Sequence, residues 1–126
     1  MKPTPMAELA KRAREASRPL RTMSTRDKNV ALLAMAESLR EHRVSIEIAN
    51  EHDRQADMPA PKKDRLRVDV DQIAASLEAI AKLPDPVGRT ESREPEGDFQ
   101  LLRKRVPLGV ILMIFESRPN VTPEAG

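Results

Sequence analysis

Val110-Ile111-Leu112-Met113-Ile114-Phe115 is an uninterrupted apolar run, and it decides the predicted fold. Pro107-Leu108-Gly109 precedes it as a turn, and the polar stretch Glu116-Ser117-Arg118-Pro119-Asn120 follows. A short run rich in β-branched residues is typical of a strand buried on both faces, as in the parallel sheets of α/β proteins. We therefore predict an α/β fold with a buried strand at 110–115, followed by a helix that opens at Thr122-Pro123-Glu124.

The surroundings that this strand needs are missing from the sequence. A strand covered on both faces requires neighbouring strands and flanking helices, yet the sequence ends at Gly126, a few residues into the predicted helix. Only 39% of the residues are hydrophobic, 33% are charged, and there are two Phe and no Trp or Tyr, which gives a thin core. We therefore expect a truncated domain.

Composition also limits the function classes. With 22 basic and 20 acidic residues the net charge is only +2, so we expect no nucleic-acid partner. The absence of Cys excludes a disulfide, a Cys zinc site and a cysteine nucleophile within these residues. His42 and His52 lack metal-ligand spacing, so no metal site is predicted. Residues 1–17 lack a signal-peptide core and no segment has the ~20 apolar residues of a membrane span, which favours a cytoplasmic protein with no membrane partner.

Residues 1–84 are predicted to form a helical segment. Helical spacing of apolar residues predicts a first helix over 5–17, which Pro19 should end. Ser24, with Asp27 three residues later, has the pattern of a cap at the start of the next helix.

The second half of this segment should contain further helices. The apolar pattern changes phase near 41–43, which predicts a break, and Met58-Pro59-Ala60-Pro61 is a helix breaker. Asp69 with Gln72 resembles another cap, and the helix after it should bury one apolar stripe. That stripe consists of Ile73, Leu77, Ile80 and Ala81.

Residues 85–107 are predicted to form a β-hairpin or edge strands, and 108–126 the first core strand with the start of the following helix. Two extended pieces flank the turn-forming Glu94-Pro95-Glu96-Gly97-Asp98. The basic run Arg103-Lys104-Arg105 has two explanations. It could attract an anionic cofactor, or it could be a charged edge that resists unwanted strand pairing.

The residues from 103 onward carry a resemblance to a known family. Arg103-Lys104-Arg105-Val106-Pro107-Leu108-Gly109-Val110-Ile111, followed by Ile114-Phe115-Glu116-Ser117-Arg118-Pro119-Asn120-Val121-Thr122, resembles the γ-glutamyl phosphate reductase (glutamate-5-semialdehyde dehydrogenase) family of the aldehyde dehydrogenase superfamily. Weaker similarity in the same order extends over about residues 6–121. It includes Ser24-Thr25-Arg26-Asp27-Lys28-Asn29, Ala49-Asn50-Glu51-His52-Asp53, Asp64-Arg65-Leu66 and Leu83-Pro84-Asp85-Pro86-Val87-Gly88.

The resemblance implies an oxidoreductase of proline biosynthesis. Such an enzyme uses NADPH to reduce γ-glutamyl phosphate to glutamate 5-semialdehyde and phosphate, through a thioester on a cysteine. The family's N-terminal portion holds helices, a β-hairpin and the first strands of a Rossmann-like domain, and pairing through hairpins allows homo-oligomers. We therefore expect the N-terminal part of such an enzyme, inactive alone because it lacks Cys. Its cofactor contacts are unknown, since neither a Gly-rich fingerprint nor a P-loop is present.

Three residues after the predicted strand are candidates for the site. The resemblance implies that Asn120 donates a hydrogen bond to the oxyanion formed when the cysteine attacks, although Asn in a Pro-Asn turn can equally be turn chemistry. Arg118 could bind the substrate's phosphate or carboxylate, because a guanidinium matches either anion. Alternatively, Arg118 forms an ion pair with Glu116 or belongs to a solvated turn. Glu116 could meet substrate or orient Arg118.

Two other functions stay open. A free-standing helical module with a basic strand could bind a partner protein or an acidic surface. A different aldehyde dehydrogenase relative, including the reductase half of a fused pyrroline-5-carboxylate synthase, would share the same fold.

Overall fold

A computed structural model describes residues 5–92, 99, 101–116 and 118–125 of the chain. Their contacts divide them into two compact units. One unit combines the described residues of 1–23 with those of 84–111, and the other combines 24–83 with the described residues of 112–126. No helix in these ranges is long and apolar enough to cross a membrane.

The described elements are mainly helical. The first unit contains α1 (Met6–Leu20) and the strands β1 (Thr90–Ser92) and β2 (Leu102–Lys104). The second unit contains α2 (Thr25–Glu41), α3 (Arg43–Arg54), α4 (Ala60–Arg65), α5 (Val70–Lys82) and α6 (Val121–Ala125).

Side-chain caps fix the starts of α2 and α5, as predicted. The Asp27 amide donates to Ser24 Oγ at 3.1 Å, and the Gln72 amide donates to Asp69 Oδ1 at 2.9 Å. Each cap satisfies one of the amides that have no partner within the first turn of a helix. The predicted break at 41–43 is also confirmed, because α2 ends one residue before His42 and α3 begins one residue after it.

Proline behaves differently from the prediction at two places. The first helix passes Pro19 and ends at Leu20, because its last turn closes through the Arg21 amide on the Arg18 carbonyl at 3.3 Å. A proline there gives up a single helical bond. The second place is the start of α4, where Pro61 lies in the first turn, a position at which its missing amide costs no bond.

The core of the second unit lies between α2 and α5. Ala36 and Ala74 have no exposed surface, Leu77 is 2% exposed, and Leu32 and Leu39 pack against them. Small residues at the contact let the two helices approach closely, so that Leu77 fills the space between them. The predicted stripe on α5 is wrong at Ile80, which is 44% exposed. It does not belong to the cluster that packs between α2 and α5.

Ion pairs join the same helices at the edge of this core. Arg40 on α2 donates to Glu78 on α5, and Arg43 at the start of α3 donates to Asp71 at 2.6 Å. The hydrogen bond from Arg40 lowers the pKa of Glu78. Both pairs are exposed, so each adds little stability, and they favour one alignment of α5 against its neighbours.

The predicted hairpin strands pair as expected. β1 and β2 are antiparallel, with Thr90 opposite Lys104 and Glu91 opposite Arg103. The connecting residues 94–98 lie outside the described part of the chain. Arg105 Nη2 reaches Glu91 Oε1 at 3.3 Å and adds a cross-strand ion pair.

The apolar run 110–115 differs from the prediction of a buried strand. Its backbone joins no ladder among the described residues, and all six side chains are exposed, Ile114 by 89%. The physical reason is that the only described sheet contains β1 and β2, so no strand lies at either edge of the run. The helix predicted after the run is present as α6.

Candidate functional site

An open pocket of about 340 Å³ in the second unit contains two of the three predicted site residues. Arg118 and Asn120, from the turn before α6, face residues from the end of α4 and the segment after it. The polar side chains that line it are Asp64, Arg65, Arg67, Arg118, Asn120 and Glu124. The structure therefore brings the predicted turn together with a second segment more than fifty positions earlier in the sequence.

Asn120 is held by the backbone of its turn. The Val121 amide donates to the Arg118 carbonyl at 3.1 Å, and the Glu124 amide donates to the Asn120 carbonyl at 3.3 Å. The side-chain Oδ1 of Asn120 is buried and accepts no hydrogen bond from the described residues. An asparagine that served only the turn would cap an amide of α6 with this atom. The buried, unsatisfied Oδ1 therefore points to a donor from outside these residues.

Arginines surround the asparagine. Arg118 is exposed and, within the described ranges, forms no ion pair, including none with Glu116. Arg65 and Arg67 line the same pocket and are likewise unpaired in the part of the chain that the structure describes. Asp64 and Glu124 on the pocket wall leave a net charge of one positive unit. The site can accept an anion with a bidentate guanidinium contact.

Sequence reasoning missed Arg65 and Arg67 as site residues. Asp64-Arg65-Leu66 is a weak part of the family resemblance, and nothing in its spacing relates it to residue 118. The available signal is the presence of two arginines within residues 65–67. Only the folded chain shows that both arginines face the Asn120 turn.

Asn50 fixes the segment that carries these arginines. From α3, its Nδ2 donates to the Leu66 carbonyl at 2.6 Å, and its Oδ1 accepts from the Val68 amide at 3.1 Å. Both bonds are partly buried, so the backbone between Arg65 and Val68 has one defined path. Asn50 is thus a positioning residue for the pocket.

Glu116 does not join the other two predicted residues. Its carboxylate lies 3.9 Å from Lys62 Nζ on α4 and is 85% exposed. An exposed pair at this distance contributes little energy. Glu116 is therefore beside the pocket, and its contact is with a lysine of α4.

A metal or dinucleotide site requires groups that the described residues do not assemble. They contain no group of three or more His, Cys, Asp or Glu side chains placed to hold a metal ion. The described glycines at positive φ, Gly88 and Gly109, are isolated and have no second glycine near them in sequence. A pyrophosphate cradle needs several backbone amides at a strand-to-helix turn. The described residues therefore form no backbone cradle of the kind that holds the NADPH pyrophosphate, and we derive no step through NADPH.

Comparison with known proteins gives one consistent result. The chain is 45% identical over 130 residues to γ-glutamyl phosphate reductase of Brucella anthropi, and 44% identical over 123 residues to that of Deinococcus radiodurans. These alignments cover 96% and 91% of the chain but 30% and 28% of the relatives. The crystal structure of γ-glutamyl phosphate reductase from Thermotoga maritima matches with a TM-score of 0.84 at 38% identity, covering 94% of this chain and 31% of that one. No protein-family model matches.

These likenesses define the class of protein. The described fold is like that of part of a reductase of the aldehyde dehydrogenase kind. More narrowly, the chain is similar to the N-terminal part of γ-glutamyl phosphate reductases. It spans about 30% of the length of the curated relatives it matches.

Proposed function

We propose that the protein takes part in the NADPH-dependent reduction of γ-glutamyl phosphate to glutamate 5-semialdehyde and phosphate, in proline biosynthesis. The observation that carries this proposal is the pocket in which Asn120 and three arginines meet, in a chain about 45% identical to reductases of that name. The names of the relatives supply the substrate. The pocket supplies a reason why these residues would bind it.

Asn120 is proposed to stabilise the oxyanion. When a thiolate attacks the acyl phosphate, the carbonyl oxygen becomes negative, and a rigid neutral donor lowers the energy of that state. The backbone bonds of the turn hold Asn120 in place, and the side-chain amide does not cap α6. Its Nδ2 is therefore proposed as the donor, while a donor from substrate or from another part of the protein satisfies Oδ1.

The arginines are proposed to bind the anionic groups of the substrate. γ-Glutamyl phosphate carries a phosphate and a carboxylate at opposite ends, and Arg65, Arg67 and Arg118 surround one open pocket. Arginine suits both groups because its guanidinium offers parallel N–H donors and keeps its charge. For Glu116 the substrate-binding role stays a proposal, and its position beside Lys62 favours an indirect one.

The nucleophile of the proposed reaction is not among these residues. The 126 residues contain no Cys, and the thioester requires a thiolate. We therefore propose that residues 1–126 alone do not turn over substrate. Their part is to position the reacting carbonyl and its anionic substituents.

Running the reaction in reverse tests the proposed function. The intact protein should form NADPH from NADP and glutamate 5-semialdehyde only when inorganic phosphate is present, since phosphate is a substrate in that direction. NADPH formation is followed by absorbance, with a reaction lacking phosphate as the control. Equal rates with and without phosphate would contradict the assignment, and turnover by residues 1–126 alone would contradict the proposed need for an external thiol.

A further inference from the structure

A second pocket, of about 740 Å³, lies in the first unit and is lined by basic side chains. Arg18 lies in the last turn of α1 and Arg21 directly follows the helix, while Lys104 and Arg105 are the last residue of β2 and the residue after it. No acidic side chain lines it among the described residues. The four cations around this opening repel one another, because no carboxylate lies between them. A bound anion would relieve that repulsion.

Most of these cations have no protein partner. Arg105 is paired with Glu91 at 3.3 Å, whereas Arg18, Arg21 and Lys104 form no ion pair within the described ranges. The sequence of this unit, residues 1–23 and 84–111, carries eleven basic and seven acidic residues. The chain's small positive net charge is therefore concentrated in the unit that contains the pocket.

The helix dipole explains only part of this arrangement. Cations near the C-terminal end of α1 are favoured by its carbonyls, which accounts for Arg18 and Arg21. A helix dipole does not account for Lys104 at this pocket, because Lys104 lies in a strand, opposite Thr90. Alternation along β2 places Arg103 on the opposite face from Lys104, and Arg103 does not line the pocket. If the basic residues of β2 served only to prevent pairing with another strand, Lys104 and Arg105 would not need to line one pocket with Arg18 and Arg21.

The chemistry of the pocket selects the ligand. Its volume is within the range of small-molecule sites, and Val87, Val106 and Pro107 provide an apolar wall beside the cations. Three unpaired cations, two of them guanidiniums, match linked phosphates better than a single carboxylate. The chain has no Trp or Tyr, and neither Phe lines this pocket, so a platform for stacking nucleic-acid bases is missing from it.

We propose that this pocket binds a small molecule through two or more linked phosphates, which are held by Arg18, Arg21 and Lys104. The site consists of residues of the first unit only. It uses none of the residues of the Asn120 pocket and does not depend on the proposed reaction.

Calorimetric titration of the intact protein with inorganic tripolyphosphate at low ionic strength tests the proposal. Arg21→Gln and Lys104→Gln should each weaken binding about tenfold or more, the effect of losing one charge-assisted hydrogen bond. Arg103→Gln removes the same charge from the neighbouring position of β2, and Arg12→Gln removes it from α1 outside the pocket. Both controls should bind as the unchanged protein does.

Two results would overturn the proposal. One is no measurable binding of tripolyphosphate. The other is an equal affinity of Lys104→Gln and Arg103→Gln for tripolyphosphate, because binding would then depend on the total charge of the protein or occur at another site. Circular dichroism of each variant confirms that it is folded, and Lys104→Gln serves if the Arg21 variant is not, since Lys104 is exposed and makes no ion pair in the described ranges.

Discussion

Asn50 binds the backbone on both sides of Arg67, with its amide donating to the Leu66 carbonyl and its oxygen accepting from the Val68 amide. The asparagine belongs to α3, and its partners lie sixteen and eighteen residues further along the chain. One side chain thereby determines where a pair of arginines faces the Asn120 turn.

Replacing Asn50 should loosen this segment. Asn50→Ala leaves a partly buried carbonyl and amide without partners and should lower the free energy of unfolding by about 1–3 kcal/mol. Denaturant titration measures that change, and hydrogen exchange should show faster exchange of the Val68 amide. Asn50→Asp keeps an acceptor for the Val68 amide but replaces the donor by a carboxylate oxygen that repels the Leu66 carbonyl, so the Val68 amide should exchange more slowly than in Asn50→Ala. Unchanged exchange in Asn50→Ala would show that the segment is held by other contacts.

Local patterns of the sequence predicted the starts of α2 and α5 but could not predict this bond. The caps at Ser24 and Asp69 are formed by amides three residues away, so a short window of sequence contains both partners. The partners of Asn50 are separated from it by a loop and by α4. No periodicity relates them, and only the family resemblance marked residues 49–53.

Shortening Leu77 should cost more than shortening its exposed neighbour on α5. Leu77→Ala opens a cavity between α2 and α5 and should lower the free energy of unfolding by about 2–5 kcal/mol. Ile80→Ala is the matched control, because Ile80 is half exposed and its truncation leaves no enclosed cavity. Thermal or denaturant unfolding of both variants makes the comparison. Equal losses would contradict the placement of the core.

Acid should remove the contribution of the Arg40–Glu78 pair. The hydrogen bond from Arg40 lowers the pKa of Glu78 in the folded chain, so its stabilising effect is fully present above the unfolded pKa of about 4.5. It is lost as the pH falls through the lower folded pKa. Glu78→Gln should therefore lose less stability than the unchanged protein on acidification from about pH 7 to about pH 3.

The control for that comparison is Glu37→Gln. It removes an exposed carboxylate of α2 that forms no ion pair with the described residues. The unfolding midpoint of Glu37→Gln should fall on acidification as much as that of the unchanged protein. The same sensitivity in Glu78→Gln and Glu37→Gln would contradict a role for the pair.

Asn120→Ala should affect catalysis and leave folding nearly unchanged. Loss of an oxyanion donor typically lowers kcat about 100- to 1000-fold. The side-chain Oδ1 binds nothing in the described chain, so the free energy of unfolding should change little. Steady-state kinetics and denaturant titration of the intact protein separate the two effects. A large loss of stability with unchanged kcat would assign Asn120 to the turn alone.

Arg65→Gln and Arg67→Gln should weaken substrate binding. Each removes a charged donor from the pocket, and an interaction of about 1.5–3 kcal/mol corresponds to a rise in KM of roughly 10- to 100-fold. Arg26→Gln, at the start of α2 and outside the pocket, should leave KM unchanged. If both pocket variants match the Arg26 variant, these arginines do not meet substrate.

The lining of the candidate pocket could be anticipated only for residues that are neighbours in sequence. Arg118 and Asn120 are two positions apart after an apolar run, so the pattern of strand, turn and helix marked them. Arg65 and Arg67 reach the same pocket through the packing of the second unit, which the sequence does not display. The apolar pattern of residues 110–115 predicted a buried strand. Burial also requires neighbouring strands, and the described residues do not provide them.

The exposed run also affects the solubility of the chain. Residues 110–115 contain no charge and no proline, and their backbone groups are unpaired within the described ranges, the combination that favours aggregation by strand pairing between chains. Arg105 and Pro107 lie before the run and Glu116 directly after it, where charge and a missing amide oppose such pairing. These flanking residues oppose aggregation. Replacing them with uncharged residues other than proline would lower the concentration at which chains with an exposed 110–115 run precipitate.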